Sequence, residues 1–170
     1  MGSRILHCVL LDLSASMLRG RKLELAKGAL LALSEQFYHR REKMAVIGFS
    51  GTQARVIQPA GRVPTFNLNW IAPLQGAGAT PISHAVDLLE EMLGQHKCRS
   101  AKAVTTVWLM SDGRFDPLPA RPEMADCCHV LDFEMEDVRL GRAQRLAQTW
   151  DASYTPALQF SPEVAPVRNA

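Results

Sequence analysis

The amino-acid sequence predicts an α/β domain, a mostly parallel β-sheet with helices on both faces, and three observations carry that expectation. Four short runs, at residues 5–11, 44–49, 103–110 and 128–133, are apolar almost throughout and bounded by Asp, Ser or Gly. Continuous rather than alternating apolarity marks strands buried on both faces of a parallel sheet. Between the runs lie segments whose apolar residues recur every three or four positions, the helical spacing. Finally, 170 residues suit one domain, and 47% apolar content is enough for a buried core without disulfide or metal staples.

Each element can be read in order. The run at 5–11 passes through Asp12-Leu13-Ser14-Ala15-Ser16 into a helix of about five turns, with Leu23, Ala26, Leu30, Leu33 and Phe37 on one stripe. The run at 44–49 turns at Ser50-Gly51-Thr52 into a short segment, 54–57, expected to pair with it antiparallel as an edge strand. Ile82, Ala85, Val86, Leu89 and Leu93 form the stripe of a second helix, preceded by Gly76-Ala77-Gly78-Ala79-Thr80-Pro81. The run at 103–110 ends in Ser111-Asp112-Gly113. After 128–133 comes an acidic cluster, Asp132, Glu134, Glu136 and Asp137, read as a solvated loop. A third helix is expected over 140–150, with Leu146 and Trp150 on one face, and a further edge strand over 153–158. The domain is expected to span 1–160, with the proline-containing tail 161–170 frayed.

Composition removes several classes of function. A net charge of +2 lacks the basic footprint of a nucleic-acid binder, and no basic amphipathic helix suggests a membrane surface. No stretch approaches the ~18 apolar residues of a membrane span. The run at 5–11 is too short for a secretory signal, and Leu6 stands where a myristoylation motif after Met1-Gly2 needs Ser or Thr. Cys8 reads as a small core residue, Cys127 and Cys128 are adjacent, and there is no CxxC pair; His96 and Cys98 lack a second pair for zinc. A soluble, cytoplasmic protein with reduced thiols is expected. Nucleotide binding is not expected, because G-x-x-x-x-G-K-[ST] is absent and Gly76-Ala77-Gly78 alone does not make a phosphate loop. Without a G-x-S-x-G elbow or an HExxH pair, and with His7, His39, His84, His96 and His129 scattered, no catalytic constellation is visible and the chain is not expected to be an enzyme. His84, one helical turn after Thr80, reads as a partly exposed helix histidine.

In open α/β sheets, ligands bind beyond the carboxyl ends of the strands, where strand order reverses. Asp12-x-Ser14-x-Ser16 leaves the first strand at such an end, and an extended segment sends alternate side chains to one side. Asp112 leaves the run at 103–110 at the same edge, and Thr80 stands just before the second helix. Carboxylates and hydroxyls without His or Cys are hard donors that select Mg²⁺, or Mn²⁺ or Ca²⁺, over zinc. Each piece also has a plain reading: serines favour turns and caps, Thr80-Pro81 is a good helix start, and Asp112-Gly113 is an ordinary turn. Their conjunction at one sheet edge favours the metal. Arg19, Arg21, Lys22 and Arg114 are then either a solvated helix start or a positive rim.

On these residues the sequence resembles the von Willebrand factor A family, whose metal-ion-dependent adhesion site is DxSxS followed by a distant Thr and a distant Asp. Asp12, Ser14, Ser16, Thr80 and Asp112 match that pattern without departure. The resemblance implies a doubly wound, mostly parallel six-stranded sheet with helices on both faces and one antiparallel edge strand. It also implies a metal-dependent protein-interaction module that recruits an Asp or Glu from its partner. Segments 8–17, 19–33, 43–49, 78–82 and 138–147 further look like the carboxy-terminal domain of the magnesium chelatase D subunit. That likeness implies an AAA+ ATPase partner of the chelatase type. The D subunit carries an ATPase-like domain and an acidic, proline-rich linker ahead of this domain; this chain starts at the first strand and is expected to be either an excised domain or, as Met1 suggests, a stand-alone relative whose partner supplies the motor. The alternative from the same residues is a Mg²⁺-dependent phosphate-ester hydrolase, for which no general base stands out.

Overall fold

In the computed structural model, residues 4–51, 53–63 and 82–161 are described. They form β1 (Ile5–Asp12), α1 (Lys22–His39), β2 (Lys43–Ser50), β3 (Gln53–Arg62), α2 (Ile82–Arg99), β4 (Val104–Ser111), β5 (Cys127–Asp132), α3 (Arg142–Thr149) and β6 (Ser153–Pro156). The six strands make one sheet in the order β3-β2-β1-β4-β5-β6. All neighbours pair parallel except β2 and β3, the antiparallel edge.

The unbroken apolarity of β1 follows from its central place. Leu6, Cys8 and Leu10 face a core shared with Ala85, Leu89 and Leu93 of α2 and with Leu146 and Trp150. Val9 and Leu11 face the opposite core, against Ala26, Leu30, Leu33 and Phe37 of α1. Each helix therefore buries most of the stripe its spacing predicts, with Leu23 and Val86 half-buried at its margin, and Cys8 is a fully buried core residue. Because β2 lies on one side of β1 and β4 on the other, chain direction through the sheet reverses between β1 and β4, whose carboxyl ends open the crevice where this architecture places ligands.

The elements differ from expectation at three places. The edge strand extends to Arg62, past Gln58-Pro59-Ala60, because register shifts between Met44 and Ile47 let β3 rejoin β2 beyond the proline. The last strand stops at Pro156, which carries no N–H for the ladder, and residues Ala157–Gln159 form a 3-10 turn. α3 begins at Arg142 rather than residue 140, since Gly141 takes a left-handed backbone (φ 64°) that a right-handed helix cannot include, and Glu134 accepts the free N–H groups of Leu140 and Gly141. Of the expected tail, residues 162–170 lie outside the described residues. Among the described residues, no helix is long and apolar enough to cross a membrane.

Candidate metal centre at the carboxyl edge

The segment after β1 is shaped by alternation. Leu13 and Met17 are fully buried and anchor it, with the Leu13 N–H donating to the Phe49 carbonyl, while Ser14 and Ser16 stand between the anchors. The Ser14 and Ser16 hydroxyls lie 3.1 Å apart. Met17 and Leu18 N–H groups both donate to the Ser14 carbonyl, closing the turn that carries the chain towards α1.

Asp12 ends β1 with no exposed surface. One carboxylate oxygen accepts the Ser14 N–H at 2.8 Å, and the other accepts the Ser111 hydroxyl at 2.5 Å. Ser111 in turn accepts the Gly113 N–H at 3.0 Å, so β1 and β4 are tied through their last residues. Burial pushes the Asp12 carboxyl up to about 6; the Ser111 and Ser14 hydrogen bonds oppose this, and the charge of Asp112 adds to it. Gly113 has φ +73° and meets α3 so closely that a Cβ would lie 2.7 Å from the Ala143 nitrogen, which explains a glycine after Asp112.

Asp112 is also buried, and its neighbours are basic. Lys22 Nζ lies 3.1 Å from Asp112 Oδ2 and 2.6 Å from Glu136 Oε1. Arg114 Nη2 joins Glu136 at 3.1 Å, with its Nε 3.8 Å from Asp112. The hydrogen bond from Lys22 holds the Glu136 carboxyl down to about 2. Burial pulls the Lys22 ammonium down, yet Glu136 and Asp112 together outweigh it and leave it raised.

The acidic cluster after β5 departs from its reading as a solvated loop. Glu134 is 4% exposed and clasps the Leu140 and Gly141 N–H groups at 2.6 and 3.1 Å. Asp132, equally buried, accepts the Tyr154 hydroxyl and the Glu134 N–H. Glu134 and Asp132 build the loop between β5 and α3; Asp137 and the following residues are exposed. Lys22, expected to be solvated or part of a rim together with Arg19 and Arg21, is buried, whereas those two arginines are exposed. Sequence reasoning missed the roles of Lys22, Ser111 and Glu136, whose partners lie too far along the chain for any local pattern to reveal, and of Glu134, which bonds backbone N–H groups that carry no sequence signal. His84 is exposed, beside Asp87 and Glu91 in a shallow groove against Gln53 of β3.

Of the five residues expected to hold metal, Asp12, Ser14, Ser16 and Asp112 stand at this edge, and Thr80 lies outside the described residues. Among the described residues, no three His, Cys, Asp or Glu side chains converge as a metal cluster. The donors are two buried carboxylates and a pair of converging hydroxyls, all hard oxygens, and such a set fits a divalent cation of the Mg²⁺ type. A buried carboxylate whose ionisation is resisted by burial and by a second carboxylate is a group that gains from a cation.

Comparison with known proteins identifies the family and the fold. The model of the von Willebrand factor type A domain matches residues 8–114. The chain is 35% identical over 103 residues to the magnesium-chelatase 60 kDa subunit of Cereibacter sphaeroides, covering 61% of this chain and 18% of that protein. An uncharacterized protein of Mycobacterium tuberculosis is 28% identical over 148 residues, covering 81% of this chain and 24% of that protein. The chain thus spans about a fifth of the length of the curated relatives it matches. Among solved structures, an aerotolerance-related membrane protein from Bacteroides fragilis superposes with a TM-score of 0.66 at 17% identity, covering 89% of this chain and 90% of that one. Proximal thread matrix protein 1 from the mussel byssus gives 0.64 at 14% identity, covering 91% of this chain and 44% of that one. These two likenesses show the fold.

Proposed function

The chain belongs to the von Willebrand factor type A family, and from that premise we propose that its carboxyl edge is a Mg²⁺-dependent docking site for a protein carboxylate. Asp12, Ser14, Ser16 and Asp112, with Thr80, are the residues that would hold the ion. The observation that carries this reading is the pair of buried carboxylates, Asp12 and Asp112, on adjacent strand ends beside two converging hydroxyls. When bound there, Mg²⁺ supplies an open coordination position that accepts an Asp or Glu from outside. Asp12 is held by Ser14 and Ser111 in one orientation, so this carboxylate is set before any ligand arrives. Leu13 and Met17 fix the serine turn from below. Arg19 and Arg21, both exposed, give the approach a positive rim that steers an acidic partner.

The likeness to magnesium-chelatase subunits supports a partner of the chelatase type, an AAA+ ATPase, with this chain as an accessory that contributes no catalytic group. The test is retention of such an ATPase on the immobilised chain in Mg²⁺, in EDTA, and with Thr80→Ala. Binding should fall sharply in EDTA, because the partner's carboxylate would then face Asp12 and Asp112 unpaired. Losing one side of a buried charge pair typically costs about 2–5 kcal/mol, roughly thirty-fold to several thousand-fold in affinity. Undiminished binding in EDTA would overturn the metal bridge. Mg²⁺-dependent turnover of a generic phosphate ester would favour a hydrolase instead.

A further inference from the structure

Lys22 is the first residue of α1, where a cation meets the positive end of the helix dipole and gains nothing locally. Lysine also tends to extend its ammonium into water, yet this side chain is only 6% exposed. Its position is therefore set by what it touches: Asp112 Oδ2 at 3.1 Å and Glu136 Oε1 at 2.6 Å. Asp112 has a fully buried side chain and no nearer cation, the Arg114 Nε standing at 3.8 Å. We propose that Lys22 is a tethered counter-cation of the metal centre, whose ammonium holds Asp112 in the metal-free protein and opposes entry of a divalent ion. The inference rests on the Mg²⁺ reading of this edge and adds to it a residue that sets the affinity.

The geometry gives Lys22 a place to withdraw. Glu136 is its closer partner, lies at the surface, and also accepts Arg114 Nη2 at 3.1 Å. Lys22 can thus release Asp112 while keeping Glu136, and no charge is left buried and alone. Through Glu136 the exchange reaches the loop between β5 and α3, so this loop is coupled to occupancy of the site. A purely structural ion pair, fastening α1 to the end of β4, would make Lys22 a stabiliser with no bearing on metal affinity. That difference can be measured.

Mg²⁺ titration by calorimetry of the full chain, wild type against Lys22→Met and Lys22→Arg, separates the readings. Removing a cation this close to a carboxylate should strengthen Mg²⁺ binding by about tenfold or more, the scale of neighbouring-charge effects on a carboxylate. Lys22→Arg keeps the charge and should stay near wild type. Lys22→Met should also melt lower in EDTA and gain more on addition of Mg²⁺. Equal or weaker Mg²⁺ binding by a folded Lys22→Met overturns the counter-cation role alone. Absence of Mg²⁺ binding by both proteins overturns the metal reading and this inference with it. Should Lys22→Met fail to fold, the wild-type Lys22 side-chain carbon resonances decide: they should shift on saturation with Mg²⁺, and unchanged resonances overturn the proposal.

Discussion

His7 and Asp12 are buried on the same strand, five residues apart, and the sheet treats them in opposite ways. In the amino half, the His7 ring lies flat on Phe37 with centroids 3.6 Å apart. Trp108 Nε1 donates to His7 Nδ1 at 3.2 Å, which leaves Nε2 to donate to Glu42 at 2.8 Å. Trp108 stacks in turn on His129, and His129 Nδ1 pairs with the Ser153 hydroxyl. Burial lowers both imidazoles, His129 to about 4, so the rings stay neutral and both nitrogens of His7 are satisfied. At the carboxyl end, Asp12 is satisfied in hydrogen bonds but not in charge, and the lysine nearby is bonded to Asp112 and Glu136. At the amino end each His7 nitrogen has a hydrogen-bond partner. The other end is left short of positive charge, which is what the proposed cation site requires.

The largest effect that tests this contrast is at Trp108. Trp108→Ala opens a cavity and leaves His7 Nδ1 without its donor, and should cost about 3–5 kcal/mol in urea unfolding. An effect below about 1 kcal/mol would show that the amino half is not the closed network described.

At the other end the sign should reverse. Asp12→Asn keeps an oxygen for the Ser14 N–H and offers an amide donor to Ser111, while removing the buried charge. The Asp12 carboxyl is raised from 3.8 to about 6, so its ionisation costs up to about 3 kcal/mol above pH 6 at ~1.4 kcal/mol per pKa unit. The metal-free variant should therefore be more stable than wild type at pH 7.5 by up to that amount. The gain should vanish below about pH 4 and shrink when Mg²⁺ is added to both. A less stable Asp12→Asn protein in EDTA would contradict the contrast.

The histidines respond to pH in the opposite sense to Asp12. A base whose folded pKa is depressed takes up protons first in the unfolded chain, so its stabilisation is complete above 6.5 and is lost as pH falls towards about 4. Asp12 acts oppositely, since a raised folded pKa favours the folded state as pH falls through the same range. Melting temperatures of Asp12→Asn should then fall more steeply between pH 6.5 and 4.5 than those of wild type. His129→Phe, which keeps the stack on Trp108, should flatten that fall; an unchanged slope would remove His129 from the account.

The fold was legible in the sequence where one physical rule dominates. Unbroken apolar runs gave β1, β2, β4 and β5, and three- and four-residue stripes gave α1 and α2, because burial on both faces of a strand or one face of a helix writes itself locally. The far half of β3 was hidden because Gln58-Pro59-Ala60 breaks the local signal, and its pairing depends on a register shift in β2. Asp12, Ser14, Ser16 and Asp112 could be placed at one edge because strand ends are local and strand direction follows from the class. Lys22 could not be placed: its partners lie 90 and 114 residues away, and a lysine between Arg21 and Leu23 looks solvated. Glu134 was hidden for another reason: its partners, six and seven residues on, are backbone N–H groups, which any residue type could supply.

The most direct test of a cation site confined to the carboxyl edge is amide NMR with substoichiometric Mn²⁺, whose unpaired electrons broaden nearby signals. Signals from Asp12 to Met17 and from Ser111 to Arg114 should vanish first, those of His7, Trp108 and His129 should persist, and excess Mg²⁺ should restore the spectrum. Uniform broadening, loss centred on the histidines, or no selective change up to saturating Mn²⁺ would contradict it.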